Sequence, residues 1–236
     1  MIKLKELLNK KILLEAGESA GKMELINTDI NDAKQFVIKI GGNLKDFSNF
    51  ETNFINAKNL ASLGKTKRKD MPVIDDKDVR EFQNRLKDGY IDVNKPFSST
   101  YKSTNPFPLG LSGYDAKDFL ERGLKDKSIE DDQISLSIKH KAINSLRPIQ
   151  RQIYFDKSIE ATIKFGIIGT INFLKSKTFF IISADNFIID GHHRWLSGLL
   201  INPKIIVNCL SIDLPIKELL PLSTAYGDAI GNERNK

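Results

Sequence analysis

Residues 179–200 constrain the fold of this chain more than any other stretch, because they predict two strands, a tight turn and a helix in succession. Phe179–Ile182 and Phe187–Ile189 are short apolar runs, and the Asp and Asn between them favour a tight turn. The second run leads directly into a polar turn, Asp190–Arg194, and then into Trp195–Leu200, an apolar stretch that predicts a helix. The sequence therefore predicts a β-hairpin that continues into a helix.

The junction between the second strand and the helix collects hydrogen-bond donors. Gly191 permits a positive φ or a close approach of the backbone to a ligand. His192, His193 and Arg194 follow it directly, and these side chains are of the kind that bind phosphate. The N-terminus of a helix adds backbone N–H groups and the positive end of its dipole. An ordinary turn with a helix cap is the alternative, but three donors in a row favour an anion site at Gly191–Arg194.

Two further features of the junction bear on metals. Asp190 could bind Mg²⁺ together with a phosphate, or it could cap the following helix. His192 and His193 are adjacent and lack the spacing of His, Cys and carboxylate ligands that zinc sites use. We therefore expect no haem, flavin or structural zinc.

The bulk composition fits a soluble globular protein. Of the 236 residues 40% are hydrophobic, and no apolar run reaches the length of a membrane span. The N-terminal residues are charged and amphipathic, unlike a signal peptide. Cys209 is the single cysteine, which excludes an intrachain disulfide and favours a cytoplasmic location. The net charge of +6 permits a nucleic-acid partner without requiring one.

Residues 1–130 are expected to be mainly helical and to pack as a layer of their own. Helical spacing of apolar residues predicts several helices: Lys3–Leu14, Asp32–Ile40, Asp46–Leu63, Asp75–Lys87 and Asp115–Leu124. Residues 92–112 contain four of the eight prolines and are interpreted as an extended loop. We assign no function to this region.

Residues 131–236 mix strands with short helices. Strands are expected at Ile134–Ile138, Ile167–Phe173, the hairpin and Lys204–Ile212, with a helix from Asp156 to Phe165. Pro215 opens a final helix that Pro221 should interrupt or kink. The predicted fold class is α+β, in which a helical N-terminal region (1–130) is followed by a small mixed-sheet domain (131–236).

The order of these features resembles a known family. Leu146–Gln150, a helix that ends at Gly166, a strand–turn–strand, Ile189–Trp195 and a strand that ends near Asp213 follow one another. This order is similar to the ParB/sulfiredoxin-like superfamily, in its Asp-Gly-His-His-Arg subgroup, over about residues 134–215. The resemblance implies a small mixed-sheet domain that binds nucleotide phosphates through the Asp-Gly-His-His-Arg loop.

Departures from the family motifs exclude several of its activities. Sulfiredoxins use a nucleophilic Cys where this chain has His192, and Cys209 falls in a predicted buried strand. Chromosome-partitioning ParB proteins carry a helix-turn-helix region, for which we expect too little chain after Arg194. The free-serine kinases of the superfamily share the motif, but Gln150 stands where their general base is a Glu, and an amide cannot take up the proton.

The remaining match is the ParB-like nuclease group, which is common on phage genomes and would act in the host cytoplasm. The resemblance implies a protein that binds a nucleotide or nucleic-acid phosphate at Gly191–Arg194 and could hydrolyse or transfer it. A nucleotide with Mg²⁺ is the cofactor that this implies. Arg194 would bind the phosphate in a bidentate manner, and His192 or His193 would donate a hydrogen bond or a proton. Further expected pocket residues are Arg147, Gln150 and Glu160.

Two other functions remain open at this stage. The first is a non-catalytic binding module that responds to a nucleotide. The second is an ATP- or ADP-dependent small-molecule kinase in which Asp156 or Glu160 replaces the missing base. The oligomeric state does not follow from the sequence.

Overall fold

The structure is a computed structural model that describes residues 21–93, 113–125, 128–176 and 178–232. The described helices are α1 (Ile30–Lys39), α2 (Phe50–Ser62), α3 (Asp76–Lys87), α4 (Gly113–Glu121), α5 (Phe155–Phe165), α6 (Ile167–Ser176), α7 (His192–Ile201) and α8 (Ile216–Ala229). The strands are β1 (Leu136–Ala142), β2 (Arg147–Pro148), β3 (Phe180–Ile182), β4 (Phe187–Asp190) and β5 (Ile206–Ile212). The predicted helix Lys3–Leu14 and most of the predicted loop 92–112 lie outside the described residues.

The α+β fold class is confirmed. The five strands form a mixed sheet in the order β1-β5-β3-β4-β2. β3 and β4 pair as an antiparallel hairpin, in which Ile182 lies opposite Ile188. Asn186 has a φ of 64° in the turn between them, a left-handed conformation that Asn tolerates better than most residues. The predicted hairpin is therefore present where the sequence placed it.

The N-terminal region is helical, as predicted, but it does not pack as a layer of its own. The apolar stripe of α2 is buried, and its Phe54 meets Phe155 of α5 edge to face with ring centroids 5.4 Å apart. α2 also packs on α7. The expectation of a separate layer was wrong because the apolar faces complementary to α2 belong to helices of the C-terminal half of the chain.

Ile167–Phe173 was expected to be a strand and is instead part of helix α6. The buried residues of this helix are Thr170, Phe173 and Leu174, at the three- and four-residue spacing of a helical face, while Ile168 is 76% exposed. A short apolar run fits either a strand or a buried helix. Packing decided between them, since the Phe173 ring lies edge to face with Phe165 at 6.0 Å.

Pro221 does not interrupt the last helix. α8 continues through it to Ala229, and Leu222, Ala225 and Tyr226 on its far side are buried. A proline inside a helix removes one backbone hydrogen bond. Burial of this apolar face, including a contact between the Tyr226 and Phe82 rings at 4.6 Å, outweighs that loss.

The described chain forms two compact units, each assembled from three stretches. Unit 1 contains the described residues up to Lys65, His140–Phe180 and Gly191–Cys209. Unit 2 contains the described residues of Thr66–Lys139, Ile181–Asp190 and the chain from Leu210 onwards. The core of unit 2 includes Phe82, Leu86, Leu219 and Tyr226. The predicted boundary near residue 130 stays a prediction.

Among the described helices, none is long and apolar enough to cross a membrane.

Candidate functional site

Gly191 adopts a positive φ, which is one of the two roles that the sequence allowed for it. It occupies the N-cap position of α7 with φ 109° and ψ 18°, a region that residues with a Cβ rarely adopt. The Trp195 N–H donates to the Gly191 carbonyl at 2.8 Å and so starts the helical hydrogen-bond ladder. The N–H groups that precede it in the first turn have no acceptor within the helix, as at any helix N-terminus.

The Arg194 side chain lies at this first turn and is 7% exposed. Its Nη2 donates to the carbonyl oxygen of Phe179 at 3.4 Å, and its Cζ lies 5.8 Å from the centroid of the Phe180 ring. A cation over an aromatic face is attracted by the ring quadrupole. The hairpin thus holds a guanidinium group in a largely desolvated position, where its charge acts on an anion more strongly than it would in water.

His192 is buried, with 5% of its surface exposed, and is tied to the loop that follows β2. The backbone N–H of Gln150 donates to His192 Nε2 at 3.2 Å. An imidazole nitrogen that accepts a hydrogen bond carries no proton, so Nε2 of His192 acts here as an acceptor. Gln150 therefore lies next to the motif, as predicted, but it contacts His192 through its backbone N–H and not through its side chain.

His193 makes the equivalent contact four residues further along the same loop. Its Nε2 accepts the backbone N–H of Tyr154 at 3.3 Å. The Tyr154 and His193 rings are nearly parallel, with an interplanar angle of 15° and centroids 6.4 Å apart. His193 is half-buried, so its side chain is more exposed than those of His192 and Arg194.

The side chain of Gln150 is part of the loop's own framework. It is 5% exposed, and its Nε2 donates to the carbonyl oxygen of Gln152. Gln152 Nε2 in turn donates to the Tyr154 hydroxyl at 3.0 Å. Gln150 therefore braces the loop, a role that a glutamate at this position could not fill, since a carboxylate has no N–H to donate.

The other predicted site residues lie on elements around the motif. Asp190 is the exposed last residue of β4, and Gly191 rather than Asp190 occupies the N-cap position of α7. Arg147 is exposed on β2, and Glu160 is half-buried in the middle of α5. The buried Asp156 accepts the Lys22 N–H at its Oδ2 (2.8 Å). Their predicted roles in the pocket stay predictions.

Sequence reasoning missed three residues of this site: Gln152, Tyr154 and Phe180. Each contacts a motif residue or braces the loop that does. Of these three, only Phe180 could have been found from the sequence. It lies in the first predicted strand of the hairpin, and the second strand leads directly into the motif. Nothing in local periodicity places the loop after β2 against a helix some 40 residues further on.

Among the described residues, no group of three or more His, Cys, Asp or Glu side chains is arranged to hold a metal ion. The Gly191–Arg194 turn combines a helix N-terminus with a buried guanidinium, an arrangement that suits an anion. Comparisons with protein-family models, with curated proteins and with solved structures found no match to this chain.

Proposed function

We propose that unit 1 is a phosphate-binding domain that takes the phosphate of a nucleotide or nucleic acid at the Gly191–Arg194 turn. The similarity of the Asp-Gly-His-His-Arg motif to the ParB-like nuclease group suggests this class of ligand. The observation that carries the proposal is the burial of the Arg194 guanidinium beside the N-terminus of α7.

The buried guanidinium of Arg194 favours an anion as the ligand of this turn. Removing a charged guanidinium from water costs several kcal/mol unless the charge is compensated. The Phe179 carbonyl and the Phe180 ring are among the groups that compensate the charge of Arg194. A phosphate would add a charge-assisted, bidentate partner, and the dipole of α7 would favour the same anion. A bound anion would therefore add to the stabilisation of this buried charge.

Binding is favoured over catalysis by the two imidazoles. Both accept a backbone N–H at Nε2, so neither can donate a proton from that atom. Gln150 cannot act as a base. The function that this geometry supports best is the binding module.

Titration calorimetry with inorganic phosphate, pyrophosphate and ATP tests the proposal. Arg194→Met removes the charge but keeps much of the side-chain volume, and we expect it to weaken binding by about 1.5–3 kcal/mol, the worth of a charged hydrogen bond. Lys39→Met makes the same change of charge at the exposed end of α1 and should bind like the wild type. A folded Arg194→Met variant with wild-type affinity for all three ligands would exclude the site.

Hydrolysis or transfer of the bound phosphate is the second candidate function. The observation in its favour is the partial exposure of His193, whose Nδ1 carries the ring proton when Nε2 accepts. Nicking of supercoiled plasmid and release of phosphate from ATP would detect it. If the wild type has such an activity and Arg194→Met loses it, the protein is an enzyme and not only a binding module.

A further inference from the structure

We propose that His192 and His193 are positioning residues, which hold the segment Gln150–Tyr154 against the N-terminus of α7 and act on the ligand through that segment. This inference rests on the proposed phosphate site and assigns its parts: Arg194 contacts the anion, and the imidazoles fix the wall beside it. It differs from the expectation that the motif histidines donate to the phosphate or serve as general acids.

The two contacts have the same chemistry and lie at opposite ends of one short segment. His192 Nε2 accepts from the first residue of the segment, and His193 Nε2 accepts from the last. Both donors are backbone amides, which cannot lose their protons at ordinary pH, so the acceptor role of each Nε2 is unambiguous. Two adjacent side chains at the start of a helix thereby fix both ends of the segment.

The segment between the two contacts behaves as one braced unit. Gln150 Nε2 donates to the Gln152 carbonyl, and Gln152 Nε2 donates to the Tyr154 hydroxyl at 3.0 Å. The Tyr154 ring is nearly parallel to that of His193. Because these contacts link its first, middle and last residues, a shift at one end is transmitted to the other.

The carbonyl oxygens of the same two peptide groups accept hydrogen bonds from other parts of unit 1, while their N–H groups donate to the histidines. The Lys65 N–H donates to the Ile149 carbonyl at 3.0 Å, and the Leu25 N–H donates to the Ile153 carbonyl at 2.8 Å. Gln150 is buried, and a buried amide that loses its acceptor carries the full cost of desolvation. The imidazoles therefore contribute directly to the position of this backbone.

Gly64 offers a way to disturb the segment without touching either imidazole. A Cβ on Gly64 would lie 2.9 Å from Arg151 N, from the Gln150 carbonyl carbon and from Ile149 O. All three are backbone atoms, so Gly64→Ala must displace the start of the segment. Ser62→Ala, two residues earlier at an exposed position, is the matched control.

The experiment combines residue-resolved amide hydrogen exchange with phosphate titration on the full chain. In His192→Leu, exchange of the Gln150 amide should rise about tenfold, and in His193→Leu that of the Tyr154 amide should rise similarly, because each has lost a buried acceptor. Both variants should bind phosphate more weakly. His192→Gln and His193→Gln keep an amide oxygen as acceptor and should restore protection and affinity together.

Three results would overturn the inference. One is unchanged exchange of both amides in the Leu variants. Another is a pair of Gln variants that regain amide protection but bind phosphate as weakly as the Leu variants, which would show that the imidazoles contact the anion themselves. The third is Gly64→Ala with a faster-exchanging Gln150 amide and wild-type affinity. A wild-type chain that binds no phosphate would remove the proposed function as well, whereas the three results above would leave it standing.

Discussion

The Phe180 ring occupies the space that a side chain on Gly191 would need. A Cβ added to Gly191 would come within 2.8 Å of Phe180 Cδ1 and within 3.3 Å of Arg194 Nε. The same glycine has a φ of 109°. The ring that lies under the guanidinium of Arg194 thus also requires a glycine at the N-cap of α7.

Gly191→Ala should therefore destabilise the protein through two separate effects. The positive φ alone costs about 1–3 kcal/mol for a residue with a Cβ, and the contact with Phe180 adds to this. Gly41→Ala is the control, since Gly41 has a φ of 84° with nothing within 4 Å of its added Cβ. Urea denaturation should show the larger loss for Gly191→Ala, and equal losses would contradict a steric role of Phe180.

Tyr226→Phe should leave the free energy of unfolding unchanged or raise it slightly. Tyr226 is fully buried, and its hydroxyl has no hydrogen-bond partner among the residues that the structure describes. Removing a buried polar group that lacks a partner relieves a desolvation cost of about 1–3 kcal/mol, while the ring contact with Phe82 remains. Thermal denaturation provides the measurement. A clear loss of stability would show that the hydroxyl is bonded in solution.

Cys209 should be unreactive in the folded protein. Its thiol is fully buried, and burial raises its pKa to about 11. Because the thiolate is the reactive form, a disulfide reagent at pH 8 should modify the native chain far more slowly than the chain unfolded in urea. Rapid modification of the native chain would show that the β5 region opens readily.

The raised pKa of Cys209 also predicts that the free energy of unfolding falls at alkaline pH. A thiol has a pKa of about 8.5 in an unfolded chain, so the stabilisation of the folded state is complete below that pH. It is lost as the pH rises through the folded value of about 11. Cys209→Ala should reduce the fall in unfolding free energy over this range, and an identical fall in both proteins would exclude the contribution.

Asp118 should contribute to stability at neutral pH and not in acid. Hydrogen bonds from Arg122 and Lys125 lower the pKa of its carboxyl group. A depressed pKa stabilises the fold above the unfolded value, about 3.9, and this contribution is lost as the pH falls through the folded value. Asp118→Asn should cost less than about 1 kcal/mol at pH 7, since the carboxylate is partly exposed, and the difference should vanish near pH 2. A difference that persists in acid would contradict the ion-pair explanation.

Strong local signals allowed the hairpin and most helix positions to be predicted. Asp185 and Asn186 between two apolar runs favour a hairpin turn. Gly166 ends α5 at the point where the helical spacing of apolar residues stops. The strand predicted at Ile167–Phe173 was wrong because a seven-residue segment with four large apolar residues is too short for its spacing to separate a strand from a buried helix. The continuation of α8 past Pro221 depended on long-range burial, which no local rule contains.

The sequence was sufficient to predict where the candidate site lies and which residues form its turn, but not the hydrogen bonds that those residues make. The sequence indicated that Gly191 permits a positive φ or a close backbone approach, and that Arg194 lies next to a helix N-terminus. It did not indicate that the imidazoles accept hydrogen bonds from the backbone N–H groups of Gln150 and Tyr154. Every residue except proline has such an N–H group, so the residue type of the donor does not reveal the contact. The pairing of residues distant in the chain is set by the tertiary fold.

The composition of the two compact units limits how the chain can be divided for experiments. Each unit draws on stretches from both halves of the chain. A fragment cut near residue 130 would separate α2 from α5 and α7, and α3 from α8, so that both halves would expose apolar faces in solution. Expression of residues 131–236 as an isolated domain should therefore give aggregates. A permuted chain with new termini in an exposed loop would be the better reagent, since it retains every stretch that each unit needs.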